Sequence, residues 1–241
     1  MRKRVLFVLL LAAICVVKAR AADEDGFKPI FNGKDLAGWE GNAKLWSVQD
    51  GAIVGETTKE NPAKGNTFLI WRGGEVKDFE LRCSFKLEGN NNSGVQYRSK
   101  DLGNFVMGGY QCDINSGPEH MCKLYEERGP RGRIAMGGQK VVVNGMKPPA
   151  EGKKGAEADK KVEPLPEAEK LKGLEKKGDW NECVIIAKGN HLIQKLNGVV
   201  AIDVTDNDEK NRAMSGLVGL QIHAGSPMKI SFKDIRLKEE K

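Results

Sequence analysis

The sequence predicts an all-β protein whose strands form two antiparallel sheets packed face to face, as a sandwich or jelly roll. Three observations predict this class: many short segments alternate apolar and polar residues, glycine or asparagine separates them, and few stretches show a helical period. In chain order the segments are 46–48, 52–54, 68–71, 79–87, 95–98, 109–114, 133–135, 141–143, 180–188, 191–196, 199–204, 216–223 and 228–237.

Two turn sequences connect the segments of the final third. Gly189-Asn190 and Asn197-Gly198 have the composition of two-residue hairpin loops, which need residues that accept a positive φ. The segments between 180 and 204 are therefore expected to fold back twice, as an antiparallel meander.

The stretch from 146 to 178 interrupts this pattern. It is crowded with Lys, Glu, Ala and Pro, and such a composition cannot bury much apolar surface. We expect a charged, exposed insertion with one short helix. A lid over a binding site is the alternative.

The first 21 residues have the features of a signal peptide. Arg2-Lys3-Arg4 is basic, residues 5–17 are apolar, and Ala19-Arg20-Ala21 fits a small-x-small cleavage site. The apolar run is shorter than the roughly 20 residues that a membrane-spanning helix needs. We therefore expect a secreted or periplasmic protein, free of the membrane after cleavage, whose residues 22–241 form a single domain.

The excess of positive charge resides mostly in that leader. The full sequence has 39 Lys and Arg against 33 Asp and Glu. The leader holds five of the basic residues and no acidic one, which leaves 34 against 33 in the mature chain. Binding to nucleic acid would require a basic surface, so no nucleic-acid partner is expected.

Four cysteines follow the leader: Cys83, Cys112, Cys122 and Cys183. Their spacing cannot assign disulfides. Cys83 replaces an apolar residue in an alternating segment, and we interpret it, with Cys112 and Cys183, as a small buried hydrophobe rather than half of a bridge. His120 could join Cys112 and Cys122 around a metal, but the spacing lacks the paired short-range ligands of a structural zinc site. No metal-ligating residue is therefore predicted.

Two segments predict a polar sheet face. In a strand, Gln96 and Arg98 would lie on one side of residues 92–98, and Gln111 and Asp113 on one side of residues 109–114. Ordinary solvated faces favour Lys, Glu and Thr, so an amide-rich face indicates hydrogen bonding to a polyhydroxyl ligand. An outer face that is merely polar is the alternative.

Segments spread over nearly all of the mature chain resemble a family of secreted enzymes. They begin with Phe31-Asn32-Gly33-Lys34-Asp35-Leu36 and end with Phe232-Lys233-Asp234-Ile235-Arg236-Leu237; between these lie 46–51, 92–98, 109–114, 124–127, 180–181, 196–198 and 219–225. The family, once a domain of unknown function, comprises 3-keto-glycoside lyases/hydratases, also described as 3-keto-disaccharide hydrolases. The resemblance implies a concanavalin- or glucanase-like jelly roll.

One motif departs from the family pattern. Many members read Gly-Tyr-Glu-x-Gln-Ile where this chain has Gly109-Tyr110-Gln111-Cys112-Asp113-Ile114. The carboxylate is thus displaced by two positions along the same strand face, to Asp113.

The resemblance implies cleavage of a glycoside already oxidised at carbon 3, and hence an upstream sugar 3-dehydrogenase as pathway partner. The ketone acidifies the proton on C2, and the enolate that forms expels the glycosidic oxygen from C1. Water can then add across the double bond. Such a site needs a base, donors for the enolate oxygen and an acid for the leaving group.

Catalytic candidates follow from that chemistry. His223 shares a predicted strand face with Gln221, and histidine can take up and release a proton near neutral pH. Asp113 or Glu126 is the expected partner, which would orient the imidazole or act as the base. A structural histidine at a sheet edge is the alternative for His223.

The expected substrate-binding residues carry amide, guanidinium or hydroxyl groups: Gln96, Arg98, Gln111, Tyr125 and Gln221. Arg98 offers several donors to an enolate or a sugar hydroxyl, and a salt bridge with Asp113 is its alternative. The oxygen ligands of this face would suit a divalent cation, although no motif requires a cofactor.

Two other functions remain open at this point. A conventional glycoside hydrolase needs two carboxylates flanking the bond, and the strand that carries Gln111 offers only Asp113. A non-catalytic carbohydrate-binding module would use the same amides, Arg and aromatic residues. The expected partner in every case is a glycoside or oligosaccharide.

Overall fold

A computed structural model describes residues 26–89, 91–116, 121–149 and 157–240. The predicted leader, 1–21, and His120 lie outside these ranges. Within them, two β-sheets pack face to face, which confirms the all-β, jelly-roll prediction. No helix of this part of the chain is long and apolar enough to cross a membrane.

The strands are, in chain order, β1 (Lys28–Pro29), β2 (Trp39–Glu40), β3 (Trp46–Gln49), β4 (Ala52–Glu56), β5 (Thr67–Trp71), β6 (Phe79–Glu88), β7 (Asn92–Asp101), β8 (Met107–Asn115), β9 (Leu124–Glu127), β10 (Arg133–Ala135), β11 (Gln139–Lys147), β12 (Glu157–Pro164), β13 (Asn181–Lys188), β14 (His191–Leu196), β15 (Val199–Asp206), β16 (Leu217–Ile222) and β17 (Lys229–Glu239).

The ten-stranded sheet has the order β12-β11-β15-β14-β13-β6-β17-β4-β3, and β1 pairs with β17. The seven-stranded sheet has the order β10-β9-β8-β7-β16-β5-β2. One pair departs from the predicted antiparallel arrangement, because β11 runs parallel to β15 with Gln139 opposite Ile202. The chain reaches β11 directly from the seven-stranded sheet, so no hairpin fixes its direction relative to β15.

The C-terminal meander is confirmed. β13 and β14 pair up to Lys188 opposite His191, and β14 and β15 begin pairing at Leu196 opposite Val199. The turns have positive φ at Gly189 and at Asn197 and Gly198, as their composition predicts.

The charged insertion contributes a strand to the ten-stranded sheet. β11 pairs with β12 at the edge of the ten-stranded sheet, and a single 3-10 turn follows at Ala168–Leu171. Charged side chains along β12 blunt this sheet edge. Leu171 and Leu174 pack against the core, so part of the segment is anchored to the sandwich. It supplies none of the described residues that line the cleft discussed below.

The core lies between the sheets and follows the strand alternation. In β6 every second residue from Phe79 to Leu87 is buried. Tyr97 and Tyr110 of the seven-stranded sheet face the same interior, with ring centroids 5.6 Å apart, and Phe79 meets Tyr97 edge-on. Their chain neighbours Gln96 and Gln111 therefore lie on the opposite, outer face of the seven-stranded sheet.

Candidate active site

A concave cleft of about 280 Å³ lies on the outer face of the seven-stranded sheet. Polar side chains line it: Asn66, Asn92, Gln111, Asp113, Lys123, Tyr125, Glu127, Gln221 and His223. They come from β7, β8, β9 and β16 and from residues that flank β5, β9 and β16. The sheet thus concentrates amides, two carboxylates, an ammonium and an imidazole in one place.

Strand register brings these side chains together. Gln96 of β7 stands opposite Gln111 of β8, and Gln111 stands opposite Tyr125 of β9. Because opposed residues in a sheet point to the same face, these three form a row across neighbouring strands. Tyr125 and Glu127, two residues apart, share this face.

Asp113 is held by two contacts at the floor of the cleft. Lys123 Nζ lies 2.7 Å from Asp113 Oδ2, and both side chains are largely buried. The Gln111 amide donates a hydrogen bond to Oδ1 of the same carboxylate. Both carboxylate oxygens are thus engaged, so Asp113 is fixed in position rather than free to move to a ligand.

Glu127 has a different environment from Asp113. Burial raises the pKa of its carboxyl above the ordinary value, and the Asn66 amide and the Arg128 guanidinium oppose that rise. Asn66 Nδ2 lies 3.4 Å from each carboxylate oxygen. A carboxyl group with a raised pKa is suited to proton transfer nearer neutral pH.

His223 follows the last residue of β16 and is exposed at the cleft. Its Nδ1 lies 2.6 Å from the Ala224 carbonyl oxygen. A carbonyl only accepts, so Nδ1 carries the hydrogen, and the neutral ring keeps its lone pair on Nε2. Asn66 accepts a hydrogen bond from the Ala224 N–H at 3.1 Å, which ties this turn to the Glu127 side of the cleft.

Amide atoms at the cleft lack hydrogen-bond partners among the described residues. They are two donors, Gln96 Nε2 and Gln221 Nε2, and two acceptors, Gln111 Oε1 and Asn92 Oδ1, all shielded from solvent. A buried polar atom without a partner costs about 1–3 kcal/mol. Sugar hydroxyls both donate and accept, so a carbohydrate could satisfy such a mixed set.

Tyr125 adds a hydroxyl donor to the cleft. Burial, and then the negative charges of Glu127 and Asp113, raise the pKa of the Tyr125 hydroxyl. The group therefore stays protonated and can donate to an oxygen that gains negative charge.

A second hollow of about 260 Å³ adjoins the cleft. His223 and Asn92 line both spaces, so the imidazole stands at their junction. Asn91, Asn115, Ser116 and Ser226 make the second hollow polar and uncharged. The two hollows together offer space on either side of His223.

Glu126 does not line the cleft, which corrects the prediction of a catalytic role. Strand alternation turns it away from Tyr125 and Glu127, and Arg131 Nη2 lies 2.6 Å from its Oε1. The same guanidinium contacts Asp206 at 2.6 Å in the buried interior. Of the two carboxylates predicted as partners of His223, Asp113 lines the cleft and Glu126 does not; Glu127, the next residue along the chain, also lines it.

Arg98 is also placed outside the cleft. It has a φ of 45°, and the β7–β8 register shifts between Tyr97 and Lys100, so the alternation that put Arg98 beside Gln96 breaks there. Its buried guanidinium donates to the carbonyls of Lys77 and Gly189 at 2.7 and 2.6 Å. Its salt bridge is with Asp78, at 3.0 Å, rather than with Asp113.

The other predicted residues lie in or directly beneath the cleft. Gln111, Asp113, Tyr125, Gln221 and His223 line the cleft, and Gln96 lies beneath its floor, fully buried.

Four cleft residues were missed by sequence reasoning. The alternation from Tyr125 could have identified Lys123 and Glu127, which lie two residues before and after it. Asn66 and Asn92 lie at strand beginnings, where no spacing pattern identified them.

Asp113 is a poor ligand for a divalent cation. Gln111 and the Lys123 ammonium already engage both oxygens of Asp113, and a cation beside Lys123 would be repelled.

Within the described ranges, one group of three His, Cys, Asp or Glu side chains has ligand atoms close enough to share an ion: Cys112, Cys122 and Cys183. These cysteines and Cys83 are buried and free of disulfides, in agreement with the sequence-based interpretation of Cys83, Cys112 and Cys183.

Comparison with known protein families shows to which family this chain belongs. The model of a family described as 3-keto-alpha-glucoside-1,2-lyase-like domain matches residues 26–238. The chain belongs to this family. The resemblance identified from the sequence segments is thereby confirmed.

A curated relative is the 3-keto-disaccharide hydrolase of Bacteroides thetaiotaomicron. It is 32% identical over 91 residues, which are 33% of this chain and 30% of the relative. The match thus spans less than a third of that protein's length.

Solved structures share the fold at low sequence identity. A "putative glycosyl hydrolase" from Parabacteroides distasonis aligns with a TM-score of 0.55 and 19% identity, covering 89% of this chain and 99% of that chain. A protein of unknown function with a galectin-like fold from Bacillus subtilis gives 0.54 and 12%, over 88% and 94%. The carbohydrate binding module CBM66 from Bacillus subtilis gives 0.52 and 14%, over 84% and 96%. These likenesses support the fold and no more.

Proposed function

We propose that this protein is a carbohydrate-acting enzyme that cleaves 3-keto-glycosides by removing the C2 proton and eliminating the glycosidic oxygen. The observation that carries the proposal is that Glu127, whose pKa is raised by burial, and His223 line the same amide-rich cleft. Family membership supports this substrate class. The curated relative named 3-keto-disaccharide hydrolase agrees with it.

His223 is the proposed base. Its Nδ1 hydrogen is directed to the Ala224 carbonyl, so Nε2 holds the lone pair that takes the C2 proton. The C3 ketone makes that proton acidic, and the electrons of the broken C–H bond move into the enolate. Tyr125 and the Lys123 ammonium are the proposed stabilisers of the enolate oxygen.

Glu127 is the proposed acid. A raised pKa keeps a larger share of its carboxyl protonated, and that proton goes to the departing glycosidic oxygen as the C1–O bond breaks. The products are an unsaturated keto sugar and a free alcohol. Addition of water across the double bond would complete a net hydrolysis.

The amides that lack partners are the proposed sugar-binding groups. Gln111 and Gln221 would bind hydroxyls of the oxidised ring, and the hollow beyond His223 would receive the leaving group. That hollow carries amide and hydroxyl groups, so an uncharged sugar fits its chemistry. A sugar 3-dehydrogenase is the class of enzyme that would supply the ketone.

Export belongs to the same proposal. The leader at 1–21 would direct the chain out of the cytoplasm, and cleavage after Ala21 would release it from the membrane. Mass spectrometry of the chain isolated from outside the cytoplasm would test the cleavage position.

The decisive experiment compares a 3-keto-glucoside with its unoxidised parent as substrates of the purified mature chain. Aglycone release from the keto sugar alone supports elimination. Release from both would indicate a two-carboxylate glycosidase that uses Asp113 and Glu127. Saturable binding without release would indicate a carbohydrate-binding module.

A further inference from the structure

The four cysteines of the described residues converge in the core, away from the cleft. Cys83 lies in β6 and Cys183 in β13, both in the ten-stranded sheet, whereas Cys112 lies in β8 of the other sheet. Cys122 follows in the chain that leads into β9. At most 2% of any of the four residues is exposed. Residues separated by up to 100 positions in the sequence thus meet at one point between the sheets.

The sulfur atoms are close enough to share one ion. Cys112 Sγ lies 3.6 Å from Cys183 Sγ, and these two with Cys122 Sγ all lie within 4.8 Å of one another. In a tetrahedral zinc site, Zn–S bonds of about 2.3 Å separate the sulfurs by about 3.8 Å. Small side-chain adjustments would therefore bring three sulfurs to ligand positions.

A fourth sulfur adjoins this triangle. Cys83 stands directly opposite Cys183 in the β6–β13 pairing, so its side chain lies on the same inward face. Zinc sites built for structure commonly use four ligands, three or four of them thiolates. Cys83 is thus the candidate for a fourth ligand beside the three sulfurs that already lie within 4.8 Å of one another.

The backbone at Cys122 adopts an unusual conformation. Its φ is 53°, in the left-handed region that residues other than glycine seldom adopt, and its N–H donates to the Asp113 carbonyl at 2.7 Å. This turn brings the third sulfur to the other two.

We propose that Cys112, Cys122 and Cys183 bind one thiophilic cation, with zinc as the best fit and Cys83 as the fourth ligand. A disulfide would use two of the sulfurs, whereas one ion accounts for the convergence of all of them. The ion would join β8 to β13 and so connect the sheets. It would lie behind the cleft, because Cys112 faces inward between the outward-facing Gln111 and Asp113.

The first test measures metal in the whole mature chain, because a site this buried is loaded during folding. The chain is produced with added zinc, purified under reducing conditions without chelator, and analysed for metal and free thiols. About one zinc per chain is expected. With cobalt supplied instead, a thiolate-to-cobalt charge-transfer band is expected, and this spectrum reports sulfur ligation in the unmutated protein.

Variants then identify the ligands. Cys122→Ser should lower the zinc content at least tenfold and abolish the cobalt band. Ala187→Ser is the matched control. It places a hydroxyl on the buried face of β13 that also carries Cys183, and it keeps every thiol. A metal-free wild-type chain, a disulfide between Cys112 and Cys183, or zinc retained in Cys122→Ser would each overturn the proposal. If Cys122→Ser does not fold, the cobalt spectrum of the unmutated chain decides.

Discussion

Lys123 Nζ lies 2.7 Å from Asp113 Oδ2 at the floor of the cleft, with 12% and 4% of the two side chains exposed. The pair joins the β8 strand to the residue just before β9 and holds a positive charge where an enolate oxygen would develop. One contact therefore serves the fold and the proposed chemistry together.

Replacement of Lys123 by Met should lower both the stability of the fold and the catalytic rate. Asp113 would keep a buried charge without its partner, which costs about 3 kcal/mol of unfolding free energy. Loss of the ammonium should also lower kcat on a 3-keto-glucoside about 100-fold. Urea unfolding and initial rates measure the two effects. Lys123→Arg, which keeps the charge, should recover most of the stability; equal losses in both variants would contradict this reading.

Glu127 and Glu126 form a natural pair of test and control. Glu127→Gln should reduce kcat on a 3-keto-glucoside about 100-fold with little change in stability, because it removes the proposed acid. Glu126→Gln should instead weaken the buried contact with Arg131 and lower stability by about 3 kcal/mol. Its folded fraction should keep near-normal kcat. A larger kcat loss in Glu126→Gln than in Glu127→Gln would reject the assignment.

The raised pKa of Glu127 predicts a pH-dependent difference in stability. The folded state binds this proton more tightly than the unfolded state, so the proton stabilises the fold at low pH, and the stabilisation is lost as pH rises through the folded pKa. The Tm of the wild type relative to Glu127→Gln should therefore be higher at about pH 4 than at about pH 7. Thermal scans of both chains at each pH check the sign, and a difference that grows toward neutral pH would contradict it.

Gly94 leaves the space that the Gln111 side chain occupies. A methyl group there would stand 2.6 Å from Gln111 Cδ, so Gly94→Ala should displace the amide from Asp113. We expect KM for a 3-keto-glucoside to rise about tenfold, the equivalent of one lost hydrogen bond. Gly65→Ala is the control, since nothing lies within 4 Å of its added methyl group. Unchanged KM in Gly94→Ala would argue against sugar binding by Gln111.

The alternation of side chains predicted the correct face of the sheet wherever the strands are regular. It placed Gln96, Gln111 and Asp113 on the outer face, and the structure has them there. The prediction was wrong at Arg98, because a positive φ and a register shift turn its side chain to the other face of the sheet. A bulge of this kind depends on how β7 meets its neighbours, which one strand's sequence does not reveal.

Glu126 rather than Glu127 was assigned to the site for a different reason. Adjacent glutamates look alike in sequence, and only the pairing of Tyr125 with Gln111 tells which carboxylate faces the cleft. Asn66 depends on still longer-range geometry, because its contacts with Glu127 and Ala224 join segments 61 and 158 positions away.

From Tyr110 to Asp113, the β8 strand is buried on both of its faces. Tyr110 donates to Asp206 at 2.5 Å, Gln111 and Asp113 share the cleft, and Cys112 contacts Cys183. Successive residues thus contact opposite sides of the sheet, and each of the four has a partner there. Substitution of any one of these four residues would therefore disturb a partner that lies far away in the sequence, on one side of the sheet or the other.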